Sequence, residues 1–105
     1  MASTTGFEQD NTGVFIRKDP ESVMDYTIDF QNFLTSGDLI NTHAFTADTG
    51  ITVDSSSRAG DKLSLTVVLS GGTAGTVYEI KCSMVTDNSL TVVRRFRVKC
   101  EEIYL

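Results

Sequence analysis

Few residues in this chain have side chains that could perform catalysis or bind a metal. His43 is the only histidine, and the two cysteines are Cys82 and Cys100. A catalytic thiol needs an exposed environment that lowers its pKa, whereas both cysteines fall on apolar faces of predicted strands. A structural zinc site needs four ligands, usually with a close pair of cysteines, and no such pair is present. The sequence therefore predicts no enzyme, no metal site and no cofactor.

The glycine-rich segment 70–76, SGGTAGT, invites comparison with phosphate-binding loops. Those loops end in Gly-Lys-Ser or Gly-Lys-Thr and lead into a helix, whose N-terminus helps to bind the phosphate. Here the lysine is missing, and the residues that follow alternate as in a strand. We interpret the segment as a turn between two strands.

A basic cluster near the end of the chain is the remaining candidate for binding. On a strand, Arg95, Arg97 and Lys99 would share one face, which makes a positive stripe on a chain of net charge −5. This stripe is either a solvated sheet face or a docking surface for an acidic protein. Nucleic acid is not expected, because the chain is acidic and no outward aromatic residues alternate with the arginines. Arg94 is the one polar misfit on the opposite, apolar face.

The hydrophobic residues that must position these groups recur with the period of two that is typical of β-strands. Residues 39–47 alternate imperfectly, which suggests a β-bulge, and residues 54–61 are predicted to form a polar loop. The run 62–100 is interpreted as a three-stranded meander. With six or seven strands and no helical period, the chain is predicted to be an all-β sandwich. The predicted strands are residues 14–16, 25–33, 39–47, 51–53, 62–70, 78–84 and 90–100.

The expected strand register also addresses whether the cysteines form a disulfide. Keeping both apolar faces on one side places Cys82 opposite Val92 or Arg94. Cys100 is then six to eight residues further along the strand, or about 20–26 Å, which is beyond disulfide reach. Both cysteines are predicted to be buried free thiols.

The length of 105 residues allows one small domain. Residues 1–13 are polar and are predicted to form a flexible N-terminal arm, with residues 14–105 as the single domain. Phe7 is the only bulky apolar anchor in that arm, so it is expected to dock against another chain. No apolar run approaches the ~20 residues that span a membrane. The first residues lack the features of a secretory signal, so we expect synthesis in the cytoplasm.

Several short motifs occur together along the chain. In order they are Phe15-x₂-Lys18-Asp19-Pro20, Asp25-Tyr26-x-Ile28-Asp29-Phe30, Gly37-Asp38-x-Ile40, Leu69-Ser70-Gly71-Gly72-Thr73-Ala74-Gly75-Thr76-x-Tyr78, and Arg95-Phe96. Their order and spacing resemble those of small tailed-bacteriophage virion proteins described as fibre–tail adaptor or neck proteins. The resemblance covers residues 14–100, nearly the whole chain.

The resemblance implies an immunoglobulin-like β-sandwich of about seven antiparallel strands, with no catalytic activity. It implies a virion structural protein, made in the host cytoplasm, that links the tail or neck to a fibre or to adjacent ring subunits. The expected partners are other virion proteins, whether tail, neck, fibre or capsid subunits, in a multi-copy ring or symmetric assembly, with no nucleic acid and no membrane. The expected partner-binding residues are Phe7, Arg95, Arg97 and Lys99.

Two alternative functions remain open from the sequence. One is a head decoration (cement) protein on the capsid surface, which differs from a ring adaptor in copy number. The other is a small soluble β-sandwich module that binds a carbohydrate or a peptide. Such a module usually has exposed aromatic residues on its loops, and residues 54–61 and 71–75 have none.

Overall fold

Two β-sheets, packed face to face, form the body of the protein. The structure is a computed structural model that describes residues 7–11 and 13–104. A short 3₁₀ helix, Gln31–Phe33, follows the third strand. The strands are β1 (Glu8–Asp10), β2 (Gly13–Lys18), β3 (Met24–Asp29), β4 (Ile40–Ala47), β5 (Ile51–Arg58), β6 (Ser64–Gly71), β7 (Val77–Thr86) and β8 (Thr91–Cys100).

The strand order corresponds to the immunoglobulin fold. One sheet has the order β1-β2-β8-β7-β4 and the other has the order β3-β6-β5. In the immunoglobulin fold, strands B, E and D form one sheet and strands C, F and G belong to the other. The strands β3 to β8 follow this arrangement as B to G. The all-β sandwich prediction is therefore confirmed.

Two details of the predicted topology are wrong. The pair β2–β8 is parallel, whereas all strands were expected to be antiparallel. The run 62–100 is not a meander, because β6 lies in one sheet while β7 and β8 lie in the other. Alternation shows which side of a strand is buried, but it carries no information about strand direction or about the sheet that a strand joins.

The core lies between the sheets and follows the predicted alternation. Leu65, Val67 and Leu69 of β6 are completely buried. They face the inward side of β7, where the buried residues are Tyr78, Ile80, Cys82 and Met84. The expected bulge in β4 occurs between Ile40 and Thr42. Period-two alternation was therefore a reliable guide to the core.

The strand β5 is longer than the sequence predicts. Residues 54–58, expected in a polar loop, continue the strand after a bulge and pair with β6. The strand lies at the edge of its sheet and its polar side chains are exposed, so its sequence shows no apolar alternation. Arg58 closes this side of the sandwich by donating hydrogen bonds to the carbonyls of Ile40 and Asn41 at 2.9 and 2.7 Å.

The N-terminal region also differs from its prediction where the structure describes it. Residues 8–10 form β1, which pairs antiparallel with the start of β2. Phe7 packs edge-on against Phe96 of its own chain, with the ring centroids 5.2 Å apart. Main-chain pairing and an aromatic contact thus hold this part of the expected arm on the sheet. Residues 1–6 and 12 lie outside the described residues.

A network of hydrogen bonds around Lys18 closes one end of the sandwich, which we call the Lys18 end. The Lys18 side chain is 1% exposed, and its ammonium group donates to the carbonyls of Asp19 and Gly71 at 2.9 and 2.8 Å. The Tyr78 hydroxyl accepts a hydrogen bond from the Thr73 amide at 2.9 Å. A tyrosine at the start of strand F with this type of bond is a known feature of immunoglobulin folds.

Both cysteines are free and buried, and the predicted register is confirmed, with Cys82 opposite Arg94. Burial raises the pKa of the Cys82 thiol from 9.0 to about 12. Burial likewise raises the pKa of Tyr26 from 10.0 to about 12. Neither group has the electrostatic environment of a reactive nucleophile.

These shifts predict that the protein loses stability in alkaline solution. Each group keeps its proton to a higher pH in the folded state than in the unfolded state. The stabilisation is therefore complete below about pH 9 and is lost as the pH rises towards 12. We expect the Tyr26→Phe variant to lose less free energy of unfolding than wild type between pH 10 and pH 12. Urea unfolding measured at several pH values tests this, with Tyr104→Phe as the exposed control. Parallel curves for the Tyr26→Phe variant and wild type would contradict it.

Candidate partner-binding surfaces

A cleft of about 460 Å³ opens beside the first half of β8, and we call it the Arg94 cleft. It lies at the end of the sandwich opposite to the Lys18 end, because β8 begins at the cleft and ends near Lys18. Both sheets and the 3₁₀ helix contribute to it. Its main lining residues are Phe7, Val14, Ile28, Phe33, Arg94 and Phe96.

The cleft combines an exposed aromatic ring with a cation. Phe33 is 48% exposed, and the Arg94 guanidinium lies 4.7 Å from the centroid of its ring. Arg94 also donates a hydrogen bond to the carbonyl of Val93 at 2.8 Å. A guanidinium over a ring face holds the ring through a cation–π interaction while the charge stays accessible. The cleft can therefore accept an apolar or aromatic side chain next to a carboxylate.

The main chain of β8 is also open at this cleft. The pairing between β2 and β8 begins at Phe15 and Arg97 and continues to the end of both strands. Within the described part of the chain, residues 91–96 have no strand neighbour on the side away from β7. An open strand edge offers unpaired N–H and C=O groups to an extended peptide.

A second surface lies at the Lys18 end, in residues 101–104, which we call the acidic segment. Two hydrogen bonds from main-chain amides fix its path: the Glu101 amide donates to the Lys18 carbonyl at 3.0 Å, and the Ile103 amide donates to the Asp19 carboxylate at 3.2 Å. Backbone amides, first that of Glu21 and then that of Ile103, lower the pKa of Asp19. The chain is thus anchored while its last described side chain, Tyr104, is 83% exposed.

In the structure, the three cations of the predicted basic stripe differ in their contacts. Arg97 and Lys99 both form ion pairs with Asp10 of β1, and the Lys99 ammonium lies 3.8 Å from the centroid of the Phe15 ring. These two cations therefore have partners within the chain. Arg95 is more exposed and lies 3.7 Å from Glu79, a distance at which a surface ion pair contributes little stability.

The other residues considered for catalysis or ligand binding form hydrogen bonds within the fold. His43 lies on β4, an edge strand of one sheet, and its Nε2 is 3.1 Å from the Ser56 hydroxyl on β5, an edge strand of the other. The glycine-rich turn lies against Lys18 and Tyr78 and carries their hydrogen bonds. Among the described residues, no group of His, Cys, Asp and Glu side chains is arranged to hold a metal ion. The same residues contain no long apolar helix of the kind that crosses a bilayer.

Comparison with protein families decides the identity of the chain. Residues 18–99 match the family described as Podophage GP4 fiber-tail adaptor protein gp77. The chain belongs to this family. No curated protein matches the chain. The predicted resemblance to phage fibre–tail adaptors is therefore confirmed, and the chain is a structural protein of the podophage fiber-tail adaptor family.

The motifs behind the resemblance to fiber-tail adaptors mainly build the fold. Lys18 and Gly71 come from two motifs that are distant in sequence, and their side chain and carbonyl meet at the Lys18 end. Asp38 of a third motif accepts main-chain hydrogen bonds from Leu39 and Asn88, which ties β4 to the β7–β8 turn. Residues from three of these motifs therefore help to close the sandwich.

The two candidate surfaces were only partly visible in the sequence. Arg94 stood out because it interrupts an apolar face, but its contact with Phe33 joins residues far apart in the chain. Asp10, the partner of two cations in the predicted stripe, lies in a segment without apolar alternation. No local pattern could have indicated either contact. The acidic segment lies outside the matched range 18–99.

Proposed function

We propose that this chain is a non-enzymatic adaptor that links the phage tail or neck to a fibre or to adjacent ring subunits. The observation that carries the proposal is the presence of two docking surfaces at opposite ends of one rigid sandwich. The Arg94 cleft presents two arginines and an exposed aromatic ring, with Glu8 and Asp29 also in its lining, whereas the acidic segment carries two glutamates and an exposed tyrosine. An adaptor must contact two neighbours at once, and these two surfaces are far enough apart to do so.

The four residues proposed from the sequence contribute unequally to this function. Arg95 stays in the proposal as a partner contact on the outer sheet face, because its side chain is half-exposed. Phe7 stays as a wall of the Arg94 cleft. Arg97 and Lys99 hold β1 through Asp10, so in this proposal they support the outer face rather than contact a partner.

The function is tested with virions produced in the absence of this chain and complemented in trans. We expect particles without the chain to package DNA but to lack fibres, and wild-type complementation to restore them. Densitometry of complemented particles should give about a dozen copies or fewer, as for a ring. A copy number that scales with the capsid shell would support a head decoration protein instead. Normal fibre content without the chain would contradict the adaptor function.

A further inference from the structure

We infer that the acidic segment of one copy of this chain docks into the Arg94 cleft of a second copy. The inference deepens the proposed function, on which it rests, by naming the neighbour that the cleft receives. Copies would then associate head to tail through these two surfaces.

Charge and apolar character are complementary between the two surfaces. The acidic segment carries Glu101 and Glu102 directly before Ile103 and Tyr104, and all four side chains are exposed. The cleft carries Arg94 and Arg95 on β8 beside the exposed ring of Phe33. Its two acidic residues have partners within the chain, since Glu8 pairs with Arg17 and Asp29 accepts a hydrogen bond from the Gln31 amide. Carboxylates would face guanidinium groups while an aromatic ring enters an aromatic cleft, and both contacts favour association.

The open edge of β8 gives this contact a specific geometry. The acidic segment has no regular secondary structure, so it can pair as an added strand with residues 91–96. Side chains alternate along a strand, so Glu102 and Tyr104 would lie on one side and Glu101 and Ile103 on the other. Arg94 and Phe96 line the inner side of β8, and Arg95 lies on the outer side. Each side of the acidic segment therefore meets an arginine.

The acidic segment cannot reach the cleft of its own chain. Arg94 and Cys100 are six residues apart on β8, which corresponds to about 20 Å. Beyond Cys100, hydrogen bonds to Lys18 and Asp19 direct the segment along the Lys18 end, away from the cleft. The contact must therefore join two copies. Because donor and acceptor surfaces differ, the association is heterologous, which produces a ring when the rotation closes.

Sedimentation velocity on the purified full-length chain tests the inference. We expect wild type to form species larger than a dimer as its concentration rises. The Arg94→Glu variant should weaken this association by about tenfold or more, since it reverses the charge at the centre of the cleft. The Lys62→Glu variant reverses a charge in the turn between β5 and β6, outside the cleft, and should associate like wild type. Equal effects of the two variants would overturn the inference.

A mixing experiment tests the heterologous geometry itself. The Arg94→Glu variant keeps an intact acidic segment, and a Tyr104→Ser variant keeps an intact cleft. Each variant alone should be largely monomeric, whereas an equimolar mixture should form a 1:1 complex and nothing larger. A monomeric wild type at millimolar concentration, or a mixture without any complex, would overturn the inference. Either result leaves the fibre content of particles as a separate test of the adaptor function.

Discussion

The Gly72→Ala variant is expected to lose about 3 kcal/mol of unfolding free energy, for two separate reasons. The backbone of Gly72 has φ = +101°, a conformation that residues with a Cβ rarely adopt. An added Cβ would also lie only 2.4 Å from the sulfur of Cys100, which is buried and cannot easily move away. Urea unfolding followed by far-UV circular dichroism measures the loss, and this method suits a chain without tryptophan.

Gly75 provides the matched control for the Gly72 variant. It has φ = +88° in the same turn, but an added Cβ would meet nothing within 4 Å. The Gly75→Ala variant should therefore show the backbone cost alone, about 1 kcal/mol. In a Cys100→Ala background the Gly72→Ala substitution should likewise cost only about 1 kcal/mol, because the obstructing sulfur is gone. If Gly72→Ala and Gly75→Ala cost the same in wild type, the contact with Cys100 does not limit the site.

The Lys18→Ala variant is also expected to lose about 3 kcal/mol of unfolding free energy. The substitution removes a completely buried aliphatic stem together with two hydrogen bonds from a charged donor. One of those bonds connects the end of β2 with the carbonyl of Gly71 at the end of β6, so its loss should loosen the contact between the two sheets. Thermal and urea unfolding of the variant give the size of the effect.

Two further variants separate the stem of Lys18 from its charge. Lys18→Met keeps the apolar stem and removes the ammonium group, so it should lose about 1–2 kcal/mol. Lys81→Ala removes an exposed lysine and should change stability by less than about 0.5 kcal/mol. A Lys18→Met variant as stable as wild type would show that the hydrogen bonds only offset the cost of burying the charge.

The buried faces of the strands could be predicted because burial leaves a local signature. Tyr26 of β3 alternates strictly with polar neighbours, and the inward residues of β6 and β7 recur at every second position, so their positions in the core followed directly. The strand β5 could not be predicted in full, because residues 54–58 are held by main-chain pairing at an exposed edge. Pairing of this kind places no demand on side-chain polarity.

The two candidate surfaces depend on contacts between distant segments, and the sequence alone does not contain that information. The basic stripe was read correctly as one face of a strand. Two of its cations form ion pairs with Asp10, which lies 87 positions before Arg97 and 89 before Lys99. The Arg94 cleft exists because β2 joins β8 only from Arg97 onward, and no residue pattern in β8 marks that point.

The parallel pair β2–β8 determines how the domain responds to mechanical force. The chain enters β2 at the cleft and leaves β8 at the Lys18 end, so pulling on these two segments loads the strands in opposite directions. All four register pairs, from Phe15–Arg97 to Lys18–Cys100, are then sheared together rather than broken one after another. A hairpin pulled from its two ends would instead open pair by pair. Force applied to these two segments would therefore act along the direction in which the parallel pair resists extension most strongly.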